Sequence, residues 1–220
     1  MHLIHTILVP QGAEYQAVCR GLSRVTGSPP QAIAIPMGMQ PLRQFLEKNC
    51  QHLNQRVLLM GLCGSLNELY RVGDVVGYRD CVDQENIIRK CDFTYTREIH
   101  SQIKGKISFV KGLTSDRIIC LAAEKRHLNQ KADVVDMEGS TALEFLLPLG
   151  ASVAMIRVVS DDCLHDIPNL TSAFSEDGSL KPLPLTWALI RQPLAATRLI
   201  RGSLQALNVL EKIASRLVTA

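Results

Sequence analysis

Val57-Leu58-Leu59-Met60-Gly61-Leu62-Cys63-Gly64-Ser65-Leu66 runs four apolar residues directly into spaced glycines, and Val72-Gly73-Asp74-Val75-Val76 follows soon after. A short apolar run closed by glycine reads as a strand buried on both faces. Val57–Met60 is therefore expected to be a strand, Gly61–Leu66 the turn that ends it, and Asp74–Tyr78 the strand that comes next. Glycines placed just past a strand let backbone approach a ligand closely, although the same G-x-x-G spacing also makes ordinary tight connections.

Working outward, Leu3–Val9, Ala32–Ile35, Ile107–Leu113, Val134–Met137 and Val153–Val159 repeat the strand pattern. Ala13–Thr26, Gln40–Leu53, Arg117–Gln130 and Glu138–Leu147 have helical length and an apolar recurrence of three to four residues. Strands alternating with helices predict an α/β sandwich around one sheet, and 220 residues suit a single domain spanning 1–220. Ile167–Pro184, rich in Pro, Ser, Asn and Asp and carrying Asp177-Gly178, reads as a loop. Beyond it lies a helical region of about 183–219. From Pro193 to Val218, Ile200, Leu204, Leu207, Leu210 and Leu217 are set against Arg201, Gln205, Asn208 and Lys212, an amphipathic pattern suited to packing on the core and, failing that, to a membrane surface or a partner.

Composition narrows the function. Hydrophobic residues at 46% and charged residues at 20% are ordinary globular usage, and a net charge of +3, with Arg89-Lys90 and Lys125-Arg126 scattered along the chain, offers no dense basic stripe for nucleic acid. Seven cysteines, odd in number and without a C-x-x-C pair, argue against a disulfide framework and a zinc knuckle, so a reducing cytoplasm and no metal are expected. Cys63 reads as a small residue filling the turn rather than a nucleophile, since no base adjoins it. The start, Met1 to His5, suggests neither a signal peptide nor a spanning helix.

Two further clusters carry acids to strand ends. In Val134-Val135-Asp136-Met137-Glu138-Gly139-Ser140 an apolar strand gives way to a helix near Gly139, which puts Glu138 at the edge where open α/β sheets bind ligands; an acid there also suits the helix macrodipole. Val158-Val159-Ser160-Asp161-Asp162 closes the last strong strand with two carboxylates, either of which would also serve as a helix cap.

In this order and spacing, Gly61–Leu66, Gly73–Val76, Met137-Glu138 and Ser160-Asp161 resemble the G-x-x-G-x-L, GD-V-V, M-E and S-D segments of the nucleoside phosphorylase superfamily, in the branch containing 5′-methylthioadenosine/S-adenosylhomocysteine nucleosidase. The resemblance covers residues 3 to about 163. It implies a three-layer sandwich whose central mixed sheet is partly barrel-like and flanked by helices, a purine nucleoside as substrate, no cofactor, and a homo-oligomer. By the same resemblance Asp161, beside Ser160, hydrogen-bonds or protonates purine N7, which calls for a carboxyl that holds a proton near neutral pH. Glu138 holds the ribose hydroxyls while Met137 packs on the sugar.

Ile7-Leu8-Val9-Pro10-Gln11-Gly12-Ala13-Glu14 is similar to the nucleosidase segment whose glutamate activates water, so Glu14 is the candidate general base. A carboxylate at that point would repel phosphate, which favours hydrolysis over phosphorolysis; Arg20 and Arg24, farther along the same helix, are the candidates to hold phosphate as a co-substrate. Thr114-Ser115-Asp116-Arg117-Ile118-Ile119 resembles S-G-D-x-F-I, with Ile118 where an aromatic stacks on the base and Ile119 where backbone binds adenine. Leu62 stands where serine is frequent. These two changes make the pocket more apolar and, with the Pro-rich loop and C-terminal helix, are similar over residues 166–210 to the hopanoid-associated branch, whose members act on adenosine attached to a terpenoid. The alternatives are a phosphate-dependent phosphorylase and a non-catalytic nucleoside-binding or sensor protein.

Overall fold

A computed structural model describes residues 4–27, 29–49, 53, 55–103, 105–170 and 181–217. Its strands are β1 (Thr6–Pro10), β2 (Gln31–Ile35), β3 (Arg56–Ser65), β4 (Val75–Val82), β5 (Ile88–Lys90), β6 (Ile107–Thr114), β7 (Val134–Asp136) and β8 (Ser152–Asp161). Its helices are α1 (Ala13–Leu22), α2 (Met39–Asn49), α3 (Phe93–Gln102), α4 (Ala122–Leu128), α5 (Gly139–Leu146), α6 (Pro182–Arg191) and α7 (Pro193–Ala214).

The pairing closes a ring. β3 pairs with β7, β7 with β6, β6 with β4, β4 with β8, and β8 again with β3, forming a five-stranded barrel. β1 and β2 extend the sheet from β3, and β5 edges β4. The sheet is mixed and helices cover both faces, as the resemblance implies. Along β3 the side chains alternate as a strand must: Leu58 and Met60 enter a core with Val18, Tyr95, Ile99, Leu210 and Ile213, from α1, α3 and α7. Val57 and Leu59 enter the opposite core with Leu42, Leu46, Ala142 and Leu143, from α2 and α5.

The structure corrects several expectations. The glycines at 61 and 64 form no turn, because β3 continues through them to Ser65. Helix α4 begins at Ala122 rather than Arg117; Ser115 Oγ accepts from the Arg117 N–H at 3.2 Å, and Asp166 Oδ1 accepts from the Ala122 N–H at 2.7 Å. β5 and α3 fall in a stretch where no element is expected from the sequence. Helix α3 is started by Asp92, whose side chain accepts from the Tyr95 N–H at 2.9 Å. Residues 171–180 of the expected Ile167–Pro184 loop, Asp177-Gly178 included, lie outside the described residues, and α6 begins at Pro182 within it.

Helix α7 buries the expected Leu210, and Leu217 just beyond it, but not the first part of the expected face. Its buried residues are Ala196, Gly202, Ala206, Leu210, Ile213 and Ala214, whereas Ile200 and Leu204 point outward. Close approach decides this: a Cβ on Gly202 would sit 2.3 Å from the Ser160 carbonyl oxygen, so a larger residue could not face β8 there. Among the described residues no helix is long and apolar enough to cross a membrane.

Candidate active site

The chain's acids converge where the barrel closes. β3 and β7 run antiparallel, with Gly64 opposite Val135 and Ser65 opposite Val134, while β6 sets Thr114 beside Asp136. The carboxyl end of β3 and its parallel neighbours β1 and β8 therefore meets the carboxyl ends of β6 and β7. One cavity of about 190 Å³ opens there. Glu14, Met137, Glu138, Ser160 and Asp161 line it together, with Leu62, Cys63, Gly64, Ile118 and Ile119.

Glu14 reaches the cavity from the first turn of α1. Gly12, at φ 93°, provides the left-handed residue that turns β1 into that helix. Oε2 of Glu14 accepts from the Leu62 N–H at 2.7 Å. Burial, reinforced by the Glu138 charge, pushes the Glu14 carboxyl up to about 7. Glu138 is also pushed up by burial, while Arg157 opposes the shift; its Oε1 accepts from the Gly38 N–H at 3.1 Å and its Oε2 lies 3.3 Å from Arg157 Nη2.

Arg157, fully buried on β8, is the cation beneath these acids. Nη2 donates to Asp136 Oδ2 at 3.0 Å, and among the described residues Nη1 and Nε have no hydrogen-bond partner. Gly61 explains itself here: a Cβ on it would come within 2.3 Å of Arg157 Nη1 and 2.5 Å of Glu14 Oε2. Gly64 likewise leaves room for Asp161, since its Cβ would lie 2.9 Å from Oδ2. The β3/β8 register slips between Cys63 and Gly64, so that Gly64 faces Asp161 and Ser160 becomes the extra residue of a bulge. Ser160 Oγ lies 2.8 Å from Asp161 Oδ1 and 3.2 Å from the Cys63 carbonyl oxygen. Lys125 of α4, with no exposed surface, donates from Nζ to Asp161 Oδ2 and, at 2.9 Å, to the Asp162 carbonyl. Asp162 itself turns to His165, whose Nδ1 is 3.0 Å from Oδ2.

The sequence profile described as the Phosphorylase superfamily matches residues 18–181. The chain belongs to the phosphorylase superfamily. No curated protein matches it. Among solved structures, this superfamily member resembles the Helicobacter pylori 5′-methylthioadenosine/S-adenosylhomocysteine nucleosidase at TM-score 0.67 and 13% identity, over 97% of both chains. It also resembles the Arabidopsis thaliana 5′-methylthioadenosine nucleosidase at TM-score 0.66 and 14% identity, over 97% of this chain and 94% of that one. The H. pylori futalosine hydrolase gives TM-score 0.63 and 13% identity, over 97% of this chain and 98% of that one.

Three residues expected at the site of this superfamily member are elsewhere. Arg20 and Arg24 leave α1 on its outer side and both pair with Glu211 of α7, with more than half of each side chain exposed, so the structure does not bring them to the cavity as phosphate ligands. Gly61 lies beneath the acids rather than on the cavity wall. Cys63 is buried and its thiol is pushed well up by burial, which leaves it an inert wall residue.

The sequence reading missed Met37, Arg117, Ile167, Leu170 and Leu199, all lining the cavity. It also missed Arg157 and Lys125. A charged residue inside an apolar strand, as Arg157 is, was the one available signal; Lys125 reads as surface charge until α4 is placed. Among the described residues no cluster of His, Cys, Asp or Glu has the arrangement to hold a metal ion.

Proposed function

We propose that the protein hydrolyses the N-glycosidic bond of a purine nucleoside, adenine being the expected base, and that it accepts an apolar 5′ substituent. The observation that carries this reading is the meeting of Glu14, Glu138 and Asp161 on one cavity. Asp161 provides a proton to N7 as the C–N bond breaks and its electron pair passes to the base. Glu138 holds the ribose hydroxyls and, as a carboxylate near the sugar, favours the positive charge of an oxocarbenium-like transition state. A water between Glu14 and the anomeric carbon loses its proton to Glu14 as its oxygen bonds to carbon, giving free ribose and free base. A carboxyl that titrates about 7 is well matched to a base working at neutral pH.

Water is favoured over phosphate because the attacking side presents Glu14, and Arg20 and Arg24 are committed to Glu211. Apolar 5′ groups are favoured because Met37, Leu62, Ile118, Ile167, Leu170 and Leu199 form much of the wall.

Incubation with a panel of purine nucleosides tests the reading, with and without phosphate and with mass spectrometry of the products. The panel spans adenosine, inosine, 5′-alkylthioadenosines and adenosyl-hopane. Free base and free ribose without phosphate are expected, fastest for apolar 5′ groups. Ribose 1-phosphate formed only with phosphate would replace Glu14's role, and binding without any cleavage would make the protein a nucleoside sensor.

A further inference from the structure

Lys125 is the wrong residue for its place unless it serves Asp161. A lysine with no exposed surface is rare, because removing an ammonium from water costs several kcal/mol unless a partner and hydrogen bonds repay it. The sequence places it on the inner face of α4, where only Ala122 is buried beside it. Both of its recorded hydrogen bonds go to one short segment, the Asp161 carboxylate and the Asp162 carbonyl. A tie between α4 and β8 alone could use the more exposed Asp162 carboxylate, which instead holds His165. The ammonium is directed at the one carboxylate of this segment that lines the cavity.

We propose that Lys125 is the proton store behind Asp161, a positioning residue that lets the aspartate protonate the departing purine at pH values where a lone aspartate has already lost its proton. This rests on the nucleosidase reading above. Counting from an ammonium beside a carboxylate, one proton moves from Lys125 Nζ to the Asp161 carboxylate and on from it to N7 as the C–N bond breaks. The pair is left as a neutral amine beside a carboxylate, and a solvent proton restores it once the base has gone. An ordinary aspartate loses its proton near pH ~4 and an ordinary lysine near ~10, so an ammonium is a proton source in the range where a lone carboxyl is not. The charges of the pair reach the thiols of Cys63, Cys120 and Cys163, each pushed up by burial and so uncharged there, and the adjacent Asp162 carboxylate is held low by its hydrogen bond with His165.

The test compares two substrates on the full chain, a purine nucleoside and 4-nitrophenyl β-D-ribofuranoside, whose nitrophenolate leaves without a proton. Lys125→Met should lower kcat for the purine nucleoside by about 100-fold or more, the usual worth of an acid catalyst, and change the nitrophenyl riboside by less than about threefold. Lys125→Arg keeps the charge but holds its proton too firmly to pass on, and it should show the same purine-selective loss. Equal losses on both substrates in a folded variant, or rescue by arginine, would reduce Lys125 to a structural tie and overturn the proposal.

The unmodified protein gives a second readout that needs no variant to fold. Its purine-to-nitrophenyl rate ratio should hold from pH 6 to about pH 9; a ratio that collapses between pH 4 and 6 would mean that a lone aspartic acid supplies the proton. Glu14 acts on both substrates, so its titration cancels in that ratio. Cleavage of neither substrate by the unmodified protein would instead strike the nucleosidase reading itself.

Discussion

In the proposed reaction Glu14 is the base, and its burial carries a cost. Its carboxyl is buried beside Glu138, and the folded protein therefore holds its proton up to about pH 7, whereas the unfolded chain releases it near 4.5. Between those values the folded state binds more protons, so its stability falls as pH rises through that window, by about 3 kcal/mol once Glu14 is fully charged. The same deprotonation creates the base. Turnover should therefore rise with pH through about 7 while stability declines. Glu14→Gln, which keeps an oxygen for the Leu62 N–H, should lose about 100-fold or more in kcat. In urea unfolding it should gain about 3 kcal/mol over the parent at pH 8 and little at pH 4.5. A variant no more stable at pH 8 than its parent would show that Arg157 already neutralises the charge. Three of the acids are legible in the sequence because they lie at or just past the ends of apolar strands, in motifs that resemble a family. Of the two cations, Arg157 shows only as a charge inside an apolar strand, and Lys125 does not show at all, since a buried and a solvated lysine have the same local sequence and only the contact with Asp161 tells them apart.

At the scale of elements, β3 shows how local reading fails for a physical reason. Its glycines suggest a turn because glycine usually marks one, yet here they sit inside a ten-residue strand. What removes their side chains is crowding by Arg157, Glu14 and Asp161, all distant in sequence. Gly61→Ala places a methyl against a guanidinium nitrogen and a carboxylate oxygen that are both fixed by burial, so one must move. We expect a loss of stability of about 1–3 kcal/mol, as for overpacked cores, with turnover falling further than the melting point alone would explain. Normal kinetics in a stable Gly61→Ala protein would mean that the Glu14 and Arg157 positions tolerate displacement. Helix α3 fails to be read for another reason: Thr94, Tyr95 and Thr96 favour strands by propensity, and the Asp92 cap and burial of Tyr95 and Ile99 override them. The amphipathic pattern of α7 misleads in turn, because a helix pressed against a strand buries its small residues there and leaves Ile200 and Leu204 outside.

Among the described residues the apolar side of α6 is uncovered, and a homo-oligomer is our expectation for what covers it. Helix α6 buries none of its residues, and Leu183, Trp187, Ile190 and, at the start of α7, Leu194 are 83%, 58%, 64% and 76% exposed. Contiguous apolar surface of this kind marks an interaction site more often than a solvated face. The adjoining α7 also sends Leu199 into the active-site cavity, so burying this surface would bear on the cavity rim. Trp187 is the chain's single tryptophan, and its emission therefore reports this surface alone. If copies associate through α6, dilution should shift the emission to the red and increase acrylamide quenching over the same concentrations at which the sedimentation coefficient falls. An oligomer that dissociates with no change at Trp187 would place the contact on another face and leave α6 to a different partner.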